Sequence, residues 1–171
     1  MSRTFEDTRQ ISVERFSVIS SKSFEDVVSA IDTSIGHPDL KLFRRDITAA
    51  KSQAELEEIV HRAVGPSDLM EFTRFDLGEI LRKEQGNGAP RSVRMVAGNP
   101  LIMKQMVEQV PHAGSYAPVT ILVDERADGV HLSYDRMASF LAPYQNATAL
   151  QVARDLDSKI ENLLTRAALD E

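Results

Sequence analysis

Three residues of one short segment, His131, Ser133 and Asp135, carry the side-chain types of a base, a nucleophile and an orienting carboxylate at alternate positions. In an extended strand alternate side chains share a face, so the three stand in one row. Side chains two apart on a strand are separated by about 7 Å, too far for a direct nucleophile–base hydrogen bond. Such chemistry needs a partner from a neighbouring strand, and Thr120, Leu122 and Asp124 are the candidates across a hairpin. No G-x-S-x-G elbow is present. A plain polar sheet face, produced by simple alternation, accounts for the same row.

Asn99 precedes Pro100 at the head of an apolar-periodic stretch. Asparagine at the N-cap with proline at the first helical position is a start signal, because proline's missing N–H costs nothing there. Capping alone accounts for Asn99. The same helix start, beside the small Gly98, also offers free N–H groups and a positive dipole end to an anion. Tyr116, two residues before Pro118, places a hydroxyl where a pocket mouth could use it. The histidines His37, His61, His112 and His131 form no H-x-x-x-H pair and no H-E-x-x-H motif. Glu57 and His61 share a helical face, but two ligands do not make a metal site. His112 follows a helix end, where the partial negative charge favours its protonated form. The candidate ligand-binding residues are therefore Asn99, Tyr116, His131 and Asp135, with no metal and no cofactor expected.

The elements that position these groups are bounded by composition. At 171 residues one core is the default, and a chain of this size buries roughly 70% of its unfolded surface. A net charge of −6 argues against a nucleic-acid partner, which requires a basic footprint. Lys41 to Arg45 and Arg91 to Arg94 are the nearest approach to basic clusters, and both have carboxylates nearby. Zero cysteines exclude disulfides, thiolate metal sites and a cysteine nucleophile. No run of eighteen apolar residues exists, so no membrane partner is expected. The first ten residues are charged, lack an apolar signal region and read as a flexible terminus, which points to the cytoplasm. Met70, Met95, Met103, Met106 and Met137 fall mostly on apolar faces, as core gap-fillers do.

Periodicity orders the elements. Ile11 to Ser20 reads as a half-buried strand. Ser23 caps a helix with Phe24, Val27, Val28, Ile31 and Ile35 on one stripe, and Gly36 stops it in a left-handed conformation before Pro38. Leu40 to Ile47 reads as an extended piece weakened by Arg44, Arg45 and Asp46. Ser52 and Glu55 form a capping box for a helix closed by Gly65-Pro66. A strand runs from Leu69 to Phe75, and Asp76 and Glu79 open a short helix that buries Leu77, Ile80 and Leu81. After a flexible Gly-Asn-Gly loop, Ser92 to Ala97 is a strand with Val93, Met95 and Ala97 on one face. The Pro100–Val110 helix follows. Pro118–Asp124 and Val130–Tyr134 pair as a hairpin around Asp128-Gly129. Asp135 caps a short turn, and Thr148 and Gln151 open a final helix with Val152, Leu156, Ile160, Leu163, Leu164 and Ala167 inward. This order predicts one α+β domain with a single mixed or mainly antiparallel sheet and helices on one face.

Val96-Ala-Gly-Asn-Pro-Leu101, the helix after it, Tyr116-Ala-Pro-Val-Thr-Ile-Leu-Val123, the acidic hairpin and the upstream Phe72-Thr-Arg-Phe-Asp76 together resemble the domain-of-unknown-function 302 family. The likeness covers the chain except the Ser52–Val64 helix and its approaches, about 48–66, which read as an insertion. It implies a β-α-β(4)-α core of the TATA-binding-protein-like, helix-grip group, and a homodimer as partner. It supplies no catalytic residues. Relatives look to have cysteines where this chain holds Gly98 and Val119, so no thiol role carries over.

Three functions are consistent with these readings. The first is a non-catalytic module binding a small apolar or amphiphilic ligand, or itself, through a sheet-and-helix pocket. The second is an enzyme, a hydrolase or isomerase, built on Asn99, His131 and Asp135, which requires those residues to converge. The third is a structural or regulatory dimer without ligand, which requires a large apolar patch.

Overall fold

Alternation and caps build twelve elements over residues 6–169, the part of the chain that the computed structural model describes. They are β1 (Arg15–Ser20), α1 (Phe24–Ser34), α2 (Leu40–Ala49), α3 (Gln53–Ala63), β2 (Met70–Asp76), α4 (Leu77–Gln85), β3 (Ser92–Gly98), α5 (Pro100–Val107), β4 (Val119–Arg126), β5 (Gly129–Asp135), α6 (Met137–Leu141) and α7 (Ala147–Ala168). The strands form one antiparallel sheet in the order β1-β5-β4-β3-β2, so the first two strands of the chain lie at opposite edges. The fold is α+β, as the element order predicts. Among the described residues no helix is long and apolar enough to cross a membrane.

Register converts alternation into two chemically different faces. Met95 lies opposite Ile121, Ile121 opposite Tyr134, and Tyr134 opposite Phe16, which makes one apolar surface across four strands. Helix α7 buries Ala149, Ala153, Leu156, Ile160 and Leu164, and α1 adds Val27 and Ile31 to the same core. Met95, Ile121, Leu132, Ile160 and Leu164 are wholly removed from solvent, each burial stabilising by roughly 1.5–3 kcal/mol. These side chains fill the space between the central strands and α7. The other face carries Arg15, Ser17 and Ile19, then His131, Ser133 and Asp135, then Thr120, Leu122 and Asp124, then Arg94 and Val96, then Thr73 and Phe75. It remains open, with Ile19 52% and Phe75 47% exposed.

Several local expectations need correction. Leu40–Ala49 is helical, not extended. Asp39 accepts hydrogen bonds from the amides of Lys41 and Leu42, and Leu40, Phe43 and Ile47 recur at helical spacing and are half-buried. The charged Arg44 and Arg45 are simply its solvated side. Gly36 is not left-handed. Its N–H donates to Leu69 O, and its carbonyl accepts from Glu71 N. A Cβ there would lie 1.9 Å from Ala63 O, and one on Gly65 would lie 2.4 Å from Ile35 C, so two backbones cross where only glycines fit. Helix α4 does not bury its apolar stripe: Leu77, Ile80 and Leu81 are 37%, 69% and 37% exposed. The N-cap of α7 is Asn146, which accepts from Ala149 N, rather than Thr148. Asp135 does not cap α6; a carboxylate from α7 does so, as described below.

Candidate functional site

The two-residue turn before Gly129, whose φ of 137° favours glycine, sets the hairpin register. That register puts Asp124 opposite His131 and Leu122 opposite Ser133, with Ile19, Ser17 and Arg15 on the other flank. The predicted row on β5 therefore exists, but its members are not coupled to one another. His131 is 9% exposed and its Nε2 lies 2.8 Å from Asp128 Oδ1, a bond that holds the Asp128 carboxyl below its usual range. Asp135 accepts from both Nε and Nη2 of Arg15, at 2.6 and 2.9 Å. The Ser133 hydroxyl has no hydrogen-bond partner among the described residues, so no serine–histidine pair is assembled there.

A cavity of about 580 Å³ opens on this face of the sheet. Val96, Leu122 and Ser133 contribute to it from the strands, Arg15, Arg94 and Asp135 supply charge, and Leu77, Tyr116 and Phe140 come from its margins. The Tyr116 and Phe140 rings are stacked, with centroids 4.6 Å apart and planes 13° from parallel. The Tyr116 hydroxyl lies 3.4 Å from the Tyr144 hydroxyl, and that bond, with burial second, raises the Tyr116 pKa. The guanidinium of Arg9 sits 4.6 Å from the centre of the Tyr144 ring, so this part of the amino-terminal segment is laid against the same aromatic cluster.

Phe140 is held in place from the core. Asp157 of α7 accepts from the Tyr134 hydroxyl at 2.7 Å, from Met137 N at 2.7 Å and from Ala138 N at 3.1 Å. It thereby caps α6, whose own N-cap residue Arg136 supplies no side-chain bond. Burial raises the pKa of Asp157 despite these donors, and burial followed by the charge of Asp157 pushes the Tyr134 hydroxyl far up, so Tyr134 serves as a neutral donor.

Asn99 belongs to a second cavity, of about 220 Å³, between α5, the ends of β3 and β4, and Leu156 of α7. Its lining is apolar: Ile102, Met103, Met106 and Val119, with Phe72 placed at the register shift between Glu71 and Thr73. The Asn99 side chain is fully engaged. Its oxygen accepts from Leu101 N at 2.8 Å, and its amide nitrogen donates to the Asp68 carbonyl and carboxylate at 3.1 and 3.0 Å. Asp68 in turn lies 3.2 Å from Lys159 Nζ, so the cap ties the start of α5 to α7.

A third hollow, about 880 Å³, lies between α1 and the β2–β3 side of the sheet and contains Arg74, Arg82 and Arg91. Each is paired: Arg74 with Asp32 and Glu71, Arg82 with Asp76, and Arg91 with Glu125 and Glu25. Asp32, His37 and Glu71 bring ligand-type atoms within 4.8 Å of one another. The Arg74 guanidinium already occupies both carboxylates. Burial pulls its pKa down, but those hydrogen bonds outweigh it and keep the group charged.

Of the four residues singled out from the sequence, Tyr116 and Asp135 thus share the open-face cavity, His131 stands on the same face outside its lining, and Asn99 faces a different one. Arg94, Phe140 and Asp157 escape the sequence reading. Alternation against Val93 and Met95 is the signal that assigns Arg94 to the open face. Nothing local marks Asp157, whose hydrogen-bond donors lie about twenty residues away in the chain.

The sequence profile of DUF302, a domain of unknown function, matches residues 45–167, from within α2 through α3 to the last turn of α7. Among solved structures, an uncharacterized conserved DUF302 protein from Bacillus stearothermophilus superimposes with a TM-score of 0.61 at 10% identity, covering 90% of this chain and 97% of that one. At that identity the likeness speaks for the fold alone. No curated protein matches the chain.

Proposed function

This chain belongs to the DUF302 family, and we propose that it is a non-catalytic module that binds a small apolar or amphiphilic ligand on the open face of its sheet. The observation carrying this reading is the cavity of about 580 Å³ walled by the Tyr116–Phe140 stack. Its size falls within the roughly 300–1,000 Å³ of small-molecule sites, and it combines apolar walls with a few polar groups. The non-catalytic part is supported by the engagement of His131 with Asp128 and of Asp135 with Arg15, and by the separate position of Asn99.

A thermal-shift screen over fatty acids, aromatic metabolites and haem-like compounds tests the proposal. A ligand that binds only the folded chain raises its melting temperature by mass action. The expected hit loses its effect in Tyr116→Ala, whose own melting temperature is lowered by loss of the Phe140 stack, so the ligand-induced shift is read against that variant's unliganded baseline. A screen in which no apolar or amphiphilic compound responds overturns the reading.

Self-association is supported by a different observation. Phe75 at the β2 edge and Leu77, Ile80 and Leu81 of α4 are all exposed and nearly contiguous in sequence, an apolar surface of the kind that marks interfaces. A homodimer through this surface predicts that sedimentation gives twice the monomer mass and that Ile80→Glu returns it to the monomer. A wild-type monomer at all concentrations excludes it.

A further inference from the structure

We propose that the ligand of the open-face cavity is a monocarboxylate with an apolar body, and that Arg94 is the residue that holds its carboxylate. The inference rests on the binding-module reading above and specifies its ligand. Two arginines border the cavity, and their situations differ. Arg15 is committed, since Nε and Nη2 both donate to Asp135, and that pair is neutral as a unit. Arg94 makes one long contact to Thr120 Oγ1, at 3.4 Å, and its guanidinium carbon lies 5.8 Å from the centre of the Phe75 ring. Among the described residues no carboxylate lies within 4.0 Å of it.

Among the described residues of its lining the cavity therefore has one uncompensated positive charge, Arg94, beside an apolar floor, Val96 and Leu122, and an aromatic wall, Tyr116 and Phe140, while Arg9 lies outside the lining on the Tyr144 ring. A guanidinium presents a planar fork of donors that matches a carboxylate with two parallel hydrogen bonds. A phosphate monoester brings nearly two negative charges at neutral pH, and among the described residues of this lining there is no second free cation to meet it. A neutral amphiphile would leave the guanidinium without an anionic partner. The hydroxyls of Thr120 and Ser133 stand on the same face and can donate to the carboxylate as well.

Isothermal titration of the full chain separates the possibilities. The probes are octanoate against octanol, 2-naphthoate against 2-naphthol, and octyl phosphate, each with wild type and with Arg94→Gln. The expected result is that a carboxylate binds about tenfold or more tightly than its alcohol, the size of one charge-assisted pair at an open site. In Arg94→Gln the two should bind alike, with the alcohol's affinity unchanged. Arg94→Lys, which retains the charge without the fork, should recover part of the difference. Equal binding of carboxylate and alcohol by wild type, tighter binding of octyl phosphate, or a preference that survives in Arg94→Gln each overturns the carboxylate assignment while leaving the binding module standing. Binding of no probe overturns the carboxylate assignment, and the binding module falls with it when the wider thermal-shift screen is also without a hit. Because Arg94 is exposed, circular dichroism and the unliganded melting temperature of the variants should match wild type.

Discussion

Replacing Asp157 with alanine would take a shared acceptor from three donors, of which Met137 N keeps a second acceptor, the Tyr134 hydroxyl oxygen at 3.1 Å. The carboxylate is 6% exposed and takes the Tyr134 hydroxyl, Met137 N and Ala138 N at 2.7, 2.7 and 3.1 Å. A buried donor left without an acceptor costs about 1–3 kcal/mol. Ala138 and Ser139 are half-buried, so water can reach the freed amide of Ala138, whereas Tyr134 at 1% exposure has no such recourse. The sum is about 3 kcal/mol of stability, which in a chain of this length lowers the melting temperature by roughly 6–12 °C. Asp157→Asn keeps one oxygen but aims an NH₂ at a backbone donor, for a loss of about 1–2 kcal/mol. The pH dependence has a definite sign. Burial raises the folded-state pKa of Asp157, so the folded chain takes up this proton more readily than the unfolded chain. That contribution is fully present below the unfolded carboxyl value of about 3.9 and is lost as pH rises through the raised folded value. The margin of wild type over Asp157→Asn should therefore narrow as pH is raised from about 4. Urea unfolding followed by far-ultraviolet circular dichroism at several pH values measures both quantities. An Asp157→Ala variant within about 1 kcal/mol of wild type, or a margin that widens with pH, would refute the role given to this carboxylate.

Gly36→Ala should destabilise by more than about 3 kcal/mol or prevent soluble expression, because its Cβ meets Ala63 O at 1.9 Å; a urea midpoint near wild type would contradict the backbone crossing. Arg15→Ala should cost only about 0.5 kcal/mol, since the ion pair with Asp135 has side chains 66% and 33% exposed, and a thermal melt lowered by more than 10 °C would show that it matters far more. Phe140→Ala should lose about 1 kcal/mol of aromatic pairing beyond its lost burial and should weaken any ligand bound beside Tyr116; unchanged affinity in a titration would remove the stack from the site.

Where signals are local, the sequence by itself determined this protein. Ser23, Ser52, Asp76 and Asn99 each accept from an amide two or three residues on, and such bonds depend only on residue type and spacing. Alternation separated the buried Val93, Met95 and Ala97 from Arg94, and the row of His131, Ser133 and Asp135 from Leu132 and Tyr134. Tertiary structure alone decided which face of each element met another. The apolar stripe of α4 looks like that of a core helix yet stays exposed, because nothing in its periodicity records whether a neighbour covers it. The left-handed stop expected at Gly36 gave way to a backbone crossing with Gly65, a contact between residues about thirty apart. The cavity and its charge balance belong to the same class. Arg15 is neutralised by Asp135 across 120 residues of chain, while Arg94 is left without a carboxylate. Local pattern fixes what a side chain can do, but pairing and burial are properties of distant segments brought together, and only their meeting decides which groups remain free to act.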